Sequence, residues 1–232
     1  MAFTAANVIS DVRVVLKDPS GIRYTDAQLM SWINAGARQA VLMKPDITAT
    51  FETITLVEGT EQSIPAEGHR LLSVLHNMSA SDGVARRAVR PVSRETLDSQ
   101  APDWNSPNVT GFAAHALEVK NYHFDEQTPR NFHVFPGVND TDAVWLRIAY
   151  SKMPTEVSST SDAVDIPDIY QTAIMDYVCF RAYQHDAESD NNEQKATNHY
   201  AMFVGAVTGK SQIDQITTPN RRSCLLYTSD AA

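Results

Sequence analysis

Apolar residues recur with helical spacing at both ends of the chain and with a period of two through its middle. Near the N-terminus Val8, Ile9, Val12, Val15 and Leu16 fall on one face of an α-helix, and Thr4 is placed to cap it. Asp18-Pro19-Ser20-Gly21 ends that helix. Thr25 followed three residues on by Gln28 is a capping-box pattern, and Leu29, Ile33, Ala37, Ala40 and Val41 continue a second helical face up to Lys44-Pro45. From Thr50 the pattern alternates. Runs at 50–57, 71–78 and 85–92, broken at Glu58-Gly59 and Asp82-Gly83, predict antiparallel strands, as do runs at 116–124, 131–135 and 143–150. In the last run Val144, Leu146, Ile148 and Tyr150 share one face. Residues 93–99 predict a short helix, followed by an irregular loop through Pro102, Trp104 and Pro107.

Helical spacing returns after Pro154 and a polar linker at 158–162. Pro167 marks a helix start, and Tyr170, Ala173, Ile174, Tyr177 and Val178 line one face. Asp190, with Glu193 at the reciprocal capping position, opens a last helix that buries Ala196, Tyr200, Phe203, Val204 and Val207 and stops at Gly209. The expected fold class is α+β. Terminal helix pairs at 1–48 and 154–210 close as a small helical bundle, and residues 49–153 form an inserted antiparallel β-sandwich or open barrel of six to eight strands. Residues 211–222 have little apolar material to pack alone, which suits either a docking arm or a disordered end. Residues 223–232 resemble the translated read-through of a sequencing adapter and are set apart as a non-native tail.

Composition narrows the function classes. The 232 residues are 43% hydrophobic and 20% charged with a net charge of −9, which excludes disorder of the whole chain and argues against non-specific wrapping of nucleic acid. No apolar run approaches the roughly 18–20 residues of a membrane span, and Asp11, Arg13 and Lys17 interrupt the N-terminal one, so neither signal peptide nor anchor is expected. Cys179 and Cys224 lack metal-ligand spacing and make no disulfide framework, which fits a reducing compartment.

No nucleophile elbow, zincin motif, P-loop or dinucleotide fingerprint occurs, so no catalytic, cofactor-binding or metal residue is assigned. The nearest metal candidate is His115, His123 and His133, with Asp125 and Glu126 close in sequence, but strand histidines without tight spacing are usually surface or satisfied residues. Arg86, Arg87, Arg90 and Arg94 form a basic cluster that reads as a solvated sheet edge or as an interface. Asp162, Asp165, Asp168, Asp176, Asp186, Glu188, Asp190 and Glu193 face only Arg181 and Lys195 in the same stretch, either as a solvated helical face or as one half of a head-to-tail subunit contact. Trp104, in a Pro-flanked loop, either packs back on its own β domain or meets a partner.

The stretch from Tyr24-Thr25-Asp26-Ala27-Gln28-Leu29 through Trp32-Ile33-Asn34-Ala35-Gly36 resembles the second helix of tailed-phage head-to-tail adaptor (connector) proteins. Residues 71–78, the loop Ala101-Pro102-Asp103-Trp104, the run Phe132-His133-Val134-Phe135-Pro136, and Ile166-Pro167-Asp168-Ile169-Tyr170 with Arg181-Ala182-Tyr183 are also similar to that group, in order from about residue 3 to 208. The resemblance implies a structural virion protein, not an enzyme, made in the host cytoplasm. Such proteins form a homo-oligomeric ring, often of twelve copies, beneath the portal protein and present a surface to a tail or tail-completion protein. Double-stranded DNA passes through the channel without specific binding. It implies no cofactor and no membrane. The candidate interface residues are Trp104, Arg86, Arg87, Arg90, Asp186, Glu188, Ile213 and Ile216. The alternative is a ligand- or carbohydrate-binding β module of a phage tail.

Overall fold

A computed structural model describes residues 3–107, 110–111, 114–186 and 190–217. The chain divides into two compact units, one from residues 1–44 with 156–232 and the other from residues 45–155. Each is described in turn.

The helical unit opens with α1 (Ala5–Leu16) and α2 (Asp26–Met43), both started by reciprocal capping boxes. Thr4 and Asn7 form the first and Thr25 and Gln28 the second. Helix α1 ends with Lys17 in the left-handed conformation at φ 55°. The following turn is organised by Asp18, whose carboxylate accepts the backbone N–H groups of Ile22, Arg23 and Tyr24 at 3.1, 3.1 and 3.0 Å. After residue 155 the chain returns through a 3-10 turn at Asp168–Tyr170 into α4 (Gln171–His185) and α5 (Asp190–Thr217). Pro167 caps that turn, one residue earlier than its expected place inside the helix.

Helix α4 packs against α1, α2 and α5. Val8, Val12, Leu29, Ile33, Ile174, Val178, Phe203 and Val207 are buried, the stripes that the spacing marks. Tyr200 departs from that reading at 37% exposure. Helix α5 also runs through Gly209 to Thr217 and does not stop there. A lone glycine lowers helix propensity by about 1 kcal/mol, less than is needed to end a helix already anchored by packed turns.

Among its described residues the β unit has eight strands in two open four-stranded sheets, a sandwich and not a closed barrel. The first sheet is ordered β1 (Ala49–Thr55), β8 (Trp145–Lys152), β3 (Gly68–Met78), β4 (Ala85–Ala88), and the second β2 (Gly59–Ser63), β7 (Asn131–Val138), β6 (Asn121–Phe124), β5 (Arg90–Pro91). A short helix, α3 (Arg94–Gln100), follows β5 and is capped by Ser93. The core lies between the sheets, where Phe132 and Val134 of β7 join Leu71, Val74, Leu146, Ile148 and Tyr150 in one apolar cluster.

Two features of this unit depart from the alternation pattern. Strands β5 and β6 pair in parallel. Strand β2 is polar and carries no alternating signal. It is held because buried Gln62 donates from Nε2 to the Val57 carbonyl at 2.7 Å and accepts the Val57 N–H at 2.8 Å.

Candidate functional site

In the helical unit the residues that carried the resemblance close the fold. Asn34 on α2 exchanges two hydrogen bonds with the backbone of Val157, donating at 3.0 Å and accepting at 2.9 Å, and so fastens the returning chain to α2. Gly36 lies so close to Tyr177 of α4 that a Cβ there would sit 2.9 Å from the ring, and only glycine admits that approach without displacement. Tyr24 donates to the carbonyl of Ala182 at 3.1 Å and meets Trp32 edge-on at 5.8 Å. The N-terminus is tied to the same returning segment, Ala5 N–H to the Asp162 carbonyl at 3.0 Å and Val164 N–H to the Phe3 carbonyl at 3.0 Å.

Several members of the acidic stretch are consumed inside the unit. Asp186 pairs with Arg23 and accepts a hydrogen bond from Asn192 at 2.9 Å, so the cation expected from a neighbouring subunit comes from the first helix pair of the same chain. Asp176 is buried and bonded to His199 Nδ1 at 2.9 Å. Asp162 accepts the backbone N–H groups of Ser158 and Ser159, both at 2.8 Å, and these bonds hold its carboxyl below the usual carboxylate range. Cys179 is buried beside Asp176, and burial, then that charge, push its thiol up to about 12, which leaves it unreactive. Glu188 lies outside the described residues. Ile213 and Ile216 lie on the last turns of α5.

In the β unit Trp104 is 4% exposed. It packs with Leu97, Ala101 and Phe135, donates from Nε1 to Asp98 at 2.8 Å and meets His133 edge-on at 5.6 Å. The expected contact residue is thus covered by its own chain, because an indole in a short loop gains most by docking where its N–H finds an acceptor. Burial holds the His133 imidazole below its usual pKa, opposed by the charge of Glu61 and assisted by His123 and Arg94. Arg86 and Arg87 are exposed on β4, an edge strand, and Arg90 is exposed on β5, an edge of the other sheet. Arg87 pairs with Glu118 at 3.3 Å and Arg94 with Asp98 at 3.5 Å.

The three histidines are not brought to one point. His123 and His133 are neighbours at 6.2 Å between rings, while His115 lies against Gly137 and lines an open groove of about 460 Å³ with Glu58, Thr60, Asn105 and Pro107. Among the described residues no group of three or more His, Cys, Asp or Glu is arranged to hold a metal ion. No described helix is long and apolar enough to cross a membrane.

What distinguishes this molecule is therefore a chain-wide set of fold-closing contacts. A family model described as SU10 adaptor protein matches residues 3–223, spanning both units. The chain belongs to that adaptor family. It is a phage structural adaptor, as the resemblance carried by Tyr24–Gly36 and the later motifs implied. Comparison with curated proteins returns no match. Within the motifs that carry the resemblance, Asn34 and Tyr24 bond backbone of the adaptor's later segments, Gly36 admits Tyr177, and Trp104 packs with Phe135.

Proposed function

We propose that the adaptor forms a ring of identical subunits between the portal and the tail of a virion, with double-stranded DNA passing through its centre without specific binding. The supporting observation is the family match over residues 3–223, which spans the helical and the β unit together. The net charge of −9 agrees with a passage to which DNA does not adhere, because like-charge repulsion opposes phosphate contact. In this reading the subunit is made in the host cytoplasm, binds portal on one side and a tail or tail-completion protein on the other, and carries out no catalysis. Its contacts draw on the exposed Arg86, Arg87 and Arg90 and on the α5 end with Ile213 and Ile216. Trp104 and Asp186 shape the loops beside such surfaces. Residues 211–222 serve as the portal-docking arm.

Electron microscopy and native mass spectrometry of the protein mixed with purified portal test this. A ring seated on portal is the expected result, and a persistent monomer that ignores portal overturns it. A carbohydrate-binding module relied on the aromatic face of Trp104, and with that ring buried no observation favours it.

A further inference from the structure

Helix α5 carries an anomaly on its outer side. Residues 196–209 contain no Asp, Glu, Lys or Arg. Phe203 and Val207 in this stretch are buried, yet Ala201, Met202, Gly205 and Ala206 are exposed, Met202 at 55%. A helix without charge all round is ordinarily one that is covered all round. Its glycines make the same point. A Cβ at Gly205 or Gly209 would meet nothing within 4 Å, so no contact among the described residues requires either glycine. Each weakens the helix relative to alanine. What a glycine there admits is the close approach of a surface from outside the chain.

The same helical unit offers such a surface. Ser10, Arg13, Val14, Lys17 and Pro19 line an open groove of about 550 Å³ on the outer face of α1, where Val14 is 77% exposed. Helix α4 packs against both α1 and α5, whereas those two are not packed on one another. Helix α1 runs in the direction of α4, since Asp11 accepts from Gln171 at the start of α4 at 3.2 Å and Tyr24 bonds Ala182 near its end. Helix α5 runs the other way, since Asn192 bonds Asp186 and Phe203 meets Tyr177 at 5.1 Å. The groove and residues 201–209 therefore lie along the same half of α4. A copy rotated about an axis along α4 brings its α5 antiparallel to α1 at the same height, with no rise, which is the condition for a ring and not a filament. Size agrees as well. Residues 196–209 span about 21 Å of helix, and a face of that length and about 10 Å width falls well short of the roughly 800 Å² per partner of a stable two-body interface. It suits a contact that each copy makes twice, once through each face, as in a closed ring.

We infer that the outer face of α5 over residues 201–209 packs antiparallel into the α1 groove of a second copy of this chain. This rests on the ring reading above. Cysteine pairs test it in full-length protein carrying Cys224→Ser, assembled on purified portal and checked for rings by electron microscopy. Protein with Val14→Cys is mixed with protein carrying Met202→Cys, Ala206→Cys or Gln194→Cys. Disulfide-linked dimers are expected with position 202 or 206, which share a face, and not with 194, about 12 Å further along the helix. Rings in which Val14→Cys links to neither 202 nor 206, links equally to 194, or links to itself overturn the helix contact and leave the ring reading intact. Absence of rings from the Cys224→Ser parent overturns both. Gly205→Leu separates assembly from folding. Leucine favours helix and meets no described atom there, so the denaturation midpoint of the unassembled protein rises while ring yield falls about tenfold. Unchanged ring yield in Gly205→Leu also overturns the helix contact.

Discussion

The helical and β units close by different means. The β unit is one continuous stretch, and it is held by an apolar cluster that every central strand feeds. The helical unit is built from two stretches separated in sequence by the whole β unit. Its helices have apolar stripes, but the returning chain is placed by a few reciprocal polar contacts, Asn34 with Val157 and the first residues with 160–164. Apolar area supplies cohesion without direction, whereas a pair of hydrogen bonds that must be made together selects one placement. The β unit carries pairs of its own, Gln62 with Val57 and buried Asn77 with Val119, on top of its apolar cluster, whereas in the helical unit such a pair places a segment 123 residues away.

The first way to break this contrast is Phe132→Ala in the fully buried centre of the β cluster, with an expected loss of about 3–5 kcal/mol. Chemical denaturation followed by fluorescence reads it. Trp104 and Trp145 lie in the β unit and Trp32 in the helical unit, so the near-ultraviolet signals of Trp104 and Trp145 are lost first. If Trp32 loses its environment at the same denaturant concentration, the two units do not close separately.

Asn34→Ala removes both bonds to Val157 and leaves two backbone groups to find water. A loss of about 1–3 kcal/mol is expected in the helical transition, with the β transition unmoved. A smaller acid-dependent effect belongs to Asp18. Three backbone N–H groups, that of Tyr24 foremost, hold its carboxyl below the usual range, with Arg13 adding to them. The folded state therefore binds the proton less readily than the unfolded chain. The stabilisation is complete above the unfolded value of about 3.9 and is lost as pH falls through the lower folded value. Asp18→Asn is expected to flatten that acid limb in a pH titration of the helical signal and to leave the β unit's profile alone. An unchanged acid limb would remove Asp18 from the account. The smallest effect is a gain. Lys17 holds a left-handed conformation, and Lys17→Gly is expected to raise helical-unit stability by about 0.5–1 kcal/mol in the same denaturation assay.

Much of the fold was legible because its signals are local. Thr4 and Thr25 announce helix starts by capping chemistry, Ile33 and Ala37 keep helical period, and Leu146, Ile148 and Tyr150 alternate as a strand with one buried face. Strand β2 was not legible, since its hold comes from the side chain of Gln62 bonding a turn, which leaves no apolar period. The site was less legible still. Whether Trp104 packed back or met a partner stayed open in the sequence, which does not reveal that Asp98 and His133 lie beside its indole. The pairing of Asp186 was open between a solvated face and a subunit contact, because Arg23, its partner within the chain, lies far away in sequence.

Periodicity and capping are properties of neighbouring residues, so the amino-acid order alone determined where helices and strands form, which face each buries, and to which family the chain belongs. Which acids remain available, which aromatic turns inward and which sheet edge stays open depend on residues far apart in the chain meeting in space. Those were decided only by the tertiary structure, because a hydrogen bond or an ion pair is satisfied by proximity and carries no trace along the sequence.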